Sequence, residues 1–70
     1  MSGAVTRRWT VTGMTCEHCV DSVTEEVSEL PGARAVSVEL ATGRLTVEAT
    51  PELTDDDVRA AVEEAGYRLA

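Results

Sequence analysis

The stretch Val5–Val23, VTRRWTVTGMTCEHCVDSV, changes its period in the middle. In its first half Val5, Arg7, Trp9 and Val11 share one parity, and Thr6, Arg8, Thr10 and Thr12 the other. β-Branched residues at period two read as a strand, with Trp9 and Val11 toward the core. Arg7 interrupts the apolar face near its end, where it could reach solvent, and Gly13 ends the strand. From Thr15 to Leu30 the spacing becomes three and four. Val20, Val23, Val27 and Leu30 form one stripe of an amphipathic helix, and Asp21, Glu25, Glu26 and Glu29 its polar face. Thr15 or Cys16 is the expected start, and Pro31-Gly32 a firm stop. At the junction lies Gly13-Met14-Thr15-Cys16-Glu17-His18-Cys19, which holds both cysteines, the only histidine and one of the two methionines.

The remainder continues in the same alternation. From Ala35 to Leu40 the apolar Val36, Val38 and Leu40 alternate with Ser37 and Glu39; from Arg44 to Ala49 the apolar positions are Leu45, Val47 and Ala49. With Ala41-Thr42-Gly43 between them, these two strands form a hairpin. Thr54 is an expected N-cap, and Asp55, Asp56 and Asp57 crowd a first turn where the helix dipole favours negative charge. Val58, Ala61, Val62 and Ala65 supply the stripe, Gly66 the stop, and Tyr67-Arg68-Leu69 a short last strand. The order strand, helix, strand, strand, helix, strand predicts an α+β fold, the ferredoxin-like βαββαβ sandwich: a four-stranded antiparallel sheet with two helices on one face. The domain is expected to run over residues 5–70, with residues 1–4 as a flexible N-terminus.

Seventy residues make one domain with one modest core. A disulfide between cysteines two residues apart closes a tiny loop and stabilises little, so the pair reads as ligands or a redox couple. No stretch is long enough for a membrane span or resembles a signal peptide, so no direct membrane insertion is expected. Free thiols fit a reducing cytoplasm. A net charge of −7, with six arginines and no lysine, argues against a nucleic-acid partner and favours a basic partner surface or simple solubility.

Thiolates are soft ligands that select Cu(I), Zn or Fe–S over Mg or Ca. A cysteine at a helix N-terminus lies beside the positive end of the dipole, so Cys16 is expected to titrate below a free thiol. The three-residue spacing puts Cys19 on the same side, one turn on. Cu(I) accepts two sulfurs, whereas a closed zinc site wants four ligands and this chain offers two cysteines and one histidine. The junction therefore reads as an exposed, transferable two-sulfur site. By its chemistry Met14 is a gap-filler packed beneath the loop. His18, two residues from Cys16, points away from it and joins as a ligand only where two molecules meet or copper is in excess. Tyr67 reads as a core ring with a wet hydroxyl.

Gly13-Met14-Thr15-Cys16 with Cys19, placed after a strand, before a Val-spaced helix and in a chain ending near Gly66-Tyr67, resembles the heavy-metal-associated domain, bacterial copper chaperone type. The resemblance runs from about Val5 to Leu69. It implies Cys16 and Cys19 as metal ligands and Met14 as a buried support. It also implies that Tyr67 lies in a loop beside the metal, where bacterial relatives carry Tyr and eukaryotic ones Lys, shielding the ion and influencing its release. Thr15, His18, Met14 and Tyr67 are thus accessory candidates. The implied function is that of a cytosolic copper chaperone, passing Cu(I) by thiolate exchange to the metal-binding domain of a copper-transporting P-type ATPase. A copper-sensing repressor is a further candidate recipient. The implied state is a monomer without metal, with a metal-bridged dimer open to the loaded form.

Three other readings compete. A binding or detoxification module for Zn, Cd or Hg is one: zinc and cadmium relatives often carry an acidic residue before the first cysteine, where this chain has Thr15. Mercury-binding relatives share Gly-Met-Thr-Cys but are usually exported. A thiol–disulfide oxidoreductase is another, but thioredoxin-type proteins place an aromatic before the first cysteine and need a longer chain, so no enzyme is expected. The last is a soluble metal-binding domain excised from a P-type ATPase; the initial Met1 and an end just after the last strand favour a free-standing protein.

Overall fold

The computed structural model describes residues 4–70, so the frayed segment expected at Met1–Ala4 falls mostly outside the described residues. The elements are β1 (Val5–Thr12), α1 (Glu17–Ser28), β2 (Ala33–Glu39), β3 (Arg44–Ala49), α2 (Asp55–Glu64) and β4 (Arg68–Leu69). The strands form one sheet in the order β2-β3-β1-β4, every pairing antiparallel. This is the ferredoxin-like arrangement that the alternation of periods predicts.

The period-two strands and the helix stripes meet in a single aliphatic core. Val11, Leu45, Val47 and Ala49 from the sheet pack with Val23 and Val27 of α1, Leu53, and Val58, Ala61 and Val62 of α2. Among the described residues no polar or charged residue is buried. Val20 and Leu30, at the margins of the α1 stripe, are only half-buried. The hairpin between β2 and β3 closes where expected, with the Gly43 N–H on the Glu39 carbonyl at 2.8 Å and the Val11 N–H on the Gly43 carbonyl at 2.7 Å. Only glycine fits there: φ is +74°, and a Cβ would stand 2.4 Å from the Val11 oxygen.

Arg7 and Trp9 make contacts that the alternation does not show. The Arg7 side chain, 32% exposed, bonds the Leu53 carbonyl at 3.1 Å and pairs with Asp55 at the start of α2, while its guanidinium lies 4.9 Å from the Trp9 ring centre. Trp9 is half-buried and packs against the core as read, with its indole N–H on Asp55 at 3.2 Å. Two element boundaries need correction. β2 begins at Ala33, two residues early, because an irregularity between Ala33 and Ala35 lets the strand pair before the alternation becomes regular. β4 has two residues, and Tyr67 stands just before it, its N–H held by the Val62 carbonyl at 3.0 Å. The Thr54 cap is as read, accepting from the Asp57 N–H at 3.1 Å.

Candidate metal centre

Gly13, with φ +94°, turns the chain out of β1 toward α1. Met14 and Thr15 form the connecting loop, with Met14 half-buried against the core as its chemistry predicts. Cys16 is the N-cap of α1 in an extended conformation, and its carbonyl accepts the Cys19 N–H at 3.0 Å. Its side chain makes no cap bond. The unfilled first-turn N–H groups and the positive end of the helix dipole therefore face the loop that carries the thiols.

Cys16 Sγ and Cys19 Sγ lie 3.4 Å apart, and the Thr15 hydroxyl is 4.0 Å from Cys19 Sγ. The two thiols are free and differ in access: Cys16 is exposed and Cys19 is buried, with 8% of its surface in contact with solvent. The exposure expected of the site is therefore carried by Cys16. Cys19 sits one turn into a helix whose Val23 and Val27 face the core, so its sulfur lies at the core margin. His18, the second residue of α1, is exposed. Among the described residues no group of three or more His, Cys, Asp or Glu side chains comes together to hold a metal. The donor set is two sulfurs.

Tyr67 completes the surroundings. Its ring packs partly on the core, and a Cβ at Gly13 would meet its Cδ1 at 3.5 Å, so the loop glycine leaves room for the ring. Tyr67, from the far end of the chain, influences Cys19 directly. The Cys19 thiol is lowered from an ordinary 9.0 to about 6, with hydrogen bonding from the Tyr67 hydroxyl as the largest cause. The Thr15 backbone lowers it further, burial opposes, and Cys16 adds smaller hydrogen-bond contributions. In return the Tyr67 phenol is pushed up, first by its hydrogen bond to Cys19, then by burial and by the nearby sulfur charges. A lowered thiol thus stands at Cys19, beside Tyr67, a position the spacing of the motif does not single out.

A typical metal–thiolate bond of about 2.3 Å makes the 3.4 Å pair a bite of roughly 95° on one ion. Both sulfurs can thus reach a single metal without backbone movement. A linear two-sulfur arrangement needs them roughly 4.6 Å apart, an opening of about 1.2 Å at the same bond length. Cys16, exposed and free of cap bonds, is the residue able to supply that movement. No helix among the described residues is long and apolar enough to cross a membrane.

Comparison with known proteins agrees with the fold and the family resemblance. The profile of the heavy-metal-associated domain matches residues 9–68. Over 61 residues the chain is 39% identical to the copper chaperone CopZ of Bacillus subtilis, covering 86% of this chain and 88% of that protein. Over 65 residues it is 42% identical to a zinc/cadmium/lead-transporting P-type ATPase of Shigella sonnei, covering 87% of this chain and 8% of the ATPase. The chain spans a small part of the ATPases it matches, 4% in the case of the copper-transporting ATPase 2 of Homo sapiens. Among solved structures, the N-terminal domain of a potential copper-translocating P-type ATPase from Bacillus subtilis, in its Cu(I)-loaded state, superposes with a TM-score of 0.86. That match is 28% identical and covers 94% of this chain and 84% of that one. The chain belongs to the heavy-metal-associated domain family.

Proposed function

We propose that the chain is a cytoplasmic copper carrier that holds one Cu(I) between Cys16 and Cys19 and hands it to the metal-binding domain of a copper-transporting P-type ATPase. The observation that carries this reading is the sulfur pair, 3.4 Å apart, with no third metal-binding side chain among the described residues gathered beside it. Two thiolates satisfy Cu(I), and an ion with so few ligands is open to an incoming one. The likeness to a copper chaperone over nearly the full length of both chains supports the same cargo.

Transfer is ligand exchange without change of oxidation state. A partner thiolate adds to the ion, giving three sulfurs; Cys16 then dissociates and its thiolate is free to take a proton. A second partner thiolate enters and Cys19 leaves last. This order follows from access, since Cys16 is exposed and Cys19 is not. Tyr67 and Thr15 stabilise the Cys19 thiolate during the exchange, and Met14 holds the loop from below. His18 stays outside the one-ion site. The role is carriage rather than catalysis.

A zinc reading has its own support: the likeness to a zinc/cadmium/lead-transporting ATPase, and a bite nearer to tetrahedral than to linear. Zinc would need two further ligands that this site does not gather. Thr15, where zinc and cadmium relatives often carry an acid, favours copper. The test is an anaerobic competition titration of reduced protein with Cu(I) against a chromophoric chelator, repeated with Zn(II), Cys16→Ser and Cys19→Ser. Tight one-to-one Cu(I) binding abolished by either substitution supports the proposal; tighter Zn(II) binding, or Cu(I) binding indifferent to the cysteines, overturns it. Mixing the loaded chain with the ATPase domain and following the metal then tests the transfer.

A further inference from the structure

In the pairing of β1 with β4, Val11 stands opposite Leu69 and Thr12 opposite Arg68. One step further the same register sets Gly13, where the chain turns into the metal loop, against Tyr67. The paired strands end at Thr12 and Arg68, so that step has no ladder of its own. The two residues are still neighbours: a Cβ at Gly13 would meet Tyr67 Cδ1 at 3.5 Å. How closely the ring sits on the loop is therefore set by what holds the rung before it.

Tyr67 is held from two sides. On the α2 side the backbone does this. Gly66, with φ +97°, gives its N–H to the Glu63 carbonyl at 2.9 Å, and the Tyr67 N–H goes to the Val62 carbonyl at 3.0 Å. On the β4 side the Thr12 hydroxyl donates to the Arg68 carbonyl at 3.2 Å. Among the described residues this is the one side-chain hydrogen bond made to the backbone of residues 65–69. It joins the residue before Gly13 to the residue after Tyr67. The end of a ladder opens more readily than its middle, and a side-chain bond at the last rung opposes that opening. Thr12 and Arg68 are both exposed, whereas their neighbours Val11 and Leu69 pack inward. The bond thus lies on the outer face of the sheet and is no part of the core.

We propose that Thr12 is a positioning residue: its hydroxyl ties Arg68 to the strand that leads into the metal loop, and so holds the Tyr67 ring against Gly13 and beside Cys19. Its consequence for metal release rests on the copper reading. The Tyr67 hydroxyl stabilises the Cys19 thiolate, and a ring that swings away withdraws that donor from the sulfur that leaves last. Thr12 acts only through the backbone it holds.

The test compares Thr12→Val with Thr12→Ser. Valine keeps the β-branched shape and removes the hydroxyl; serine keeps the hydroxyl and gives up the branch. A position that needed only a good strand former would accept valine and suffer with serine, and the positioning role reverses that order. In the reduced, metal-free chain, the nuclear Overhauser effect between the Tyr67 ring and the Gly13 Hα is expected to weaken by about half with valine and to survive with serine. In the Cu(I)-loaded chain, release to a chromophoric chelator is expected to slow about threefold with valine, and no further when Tyr67→Phe is already present. An undiminished ring contact with valine, a loss with serine equal to that with valine, or independent effects of Thr12→Val and Tyr67→Phe on release would overturn the proposal. A chain that takes up no Cu(I) refutes the copper reading alone, since the metal-free contact still decides the role of Thr12.

Discussion

Replacing Tyr67 by Phe tests the link between the last loop and the buried Cys19 thiol. At a pKa of about 6 the Cys19 thiol is about 90% ionised at pH 7, against about 1% at an ordinary 9.0. The Tyr67 hydroxyl is the largest cause of that difference. Tyr67→Phe keeps the ring that packs over Gly13 and removes only the donor, so the thiol is expected to titrate higher. Each unit of rise beyond pH 7 costs roughly tenfold in thiolate at neutral pH. Thiolate absorbance near 240 nm, followed against pH in a Cys16→Ser background, isolates Cys19. The expected midpoint lies near 6 with Tyr67 and moves up by about one unit or more with Phe. An unmoved midpoint, or one near 9 with Tyr67 in place, would refute the reasoning. The sign for stability follows. The native thiol binds protons less readily than the unfolded one, so its contribution is complete above pH 9, shrinks as pH falls, and is gone below about 6. The reduced, metal-free chain should therefore gain stability between pH 6 and 9, and Tyr67→Phe should flatten that slope.

Gly43→Ala combines φ +74° with a Cβ 2.4 Å from the Val11 oxygen, and is expected to cost about 2–4 kcal/mol in urea unfolding. Gly66→Ala, with φ +97° and open space around it, carries the backbone strain alone and should cost about 1–2 kcal/mol. Leu45→Ala removes the largest fully buried side chain, a loss of about 2–5 kcal/mol that rivals the total of about 4–10 kcal/mol expected for a chain this long. Its midpoint in urea should collapse.

The order of elements was legible because each strand and helix keeps its own period, and because Gly13, Gly43, Pro31-Gly32 and Gly66 stand at the changes. The sulfur pair was legible as well, since three-residue spacing at a helix start brings two side chains together by local geometry alone. Long-range effects were not. Nothing local to Arg7 says that Asp55, 48 residues away, waits at the head of α2 to hold it. Nothing in the Cys16–Cys19 spacing says that one thiol lies against the core and the other does not. A tyrosine near the chain's end next to a cysteine near its start is a product of antiparallel β1–β4 pairing, and only the family resemblance pointed to it.

Cys16 caps α1 without making a cap bond. Ser, Asp or Asn at such a position typically strengthens a helix by about 1 kcal/mol, because its oxygen fills the N–H groups that sulfur leaves open. Cys16→Ser should then give a sturdier domain that has lost its proposed grip on copper. At this one position robustness and carriage pull in opposite directions. A population selected for heat resistance alone would be expected to discard the cysteine, and its retention would signal selection for cargo.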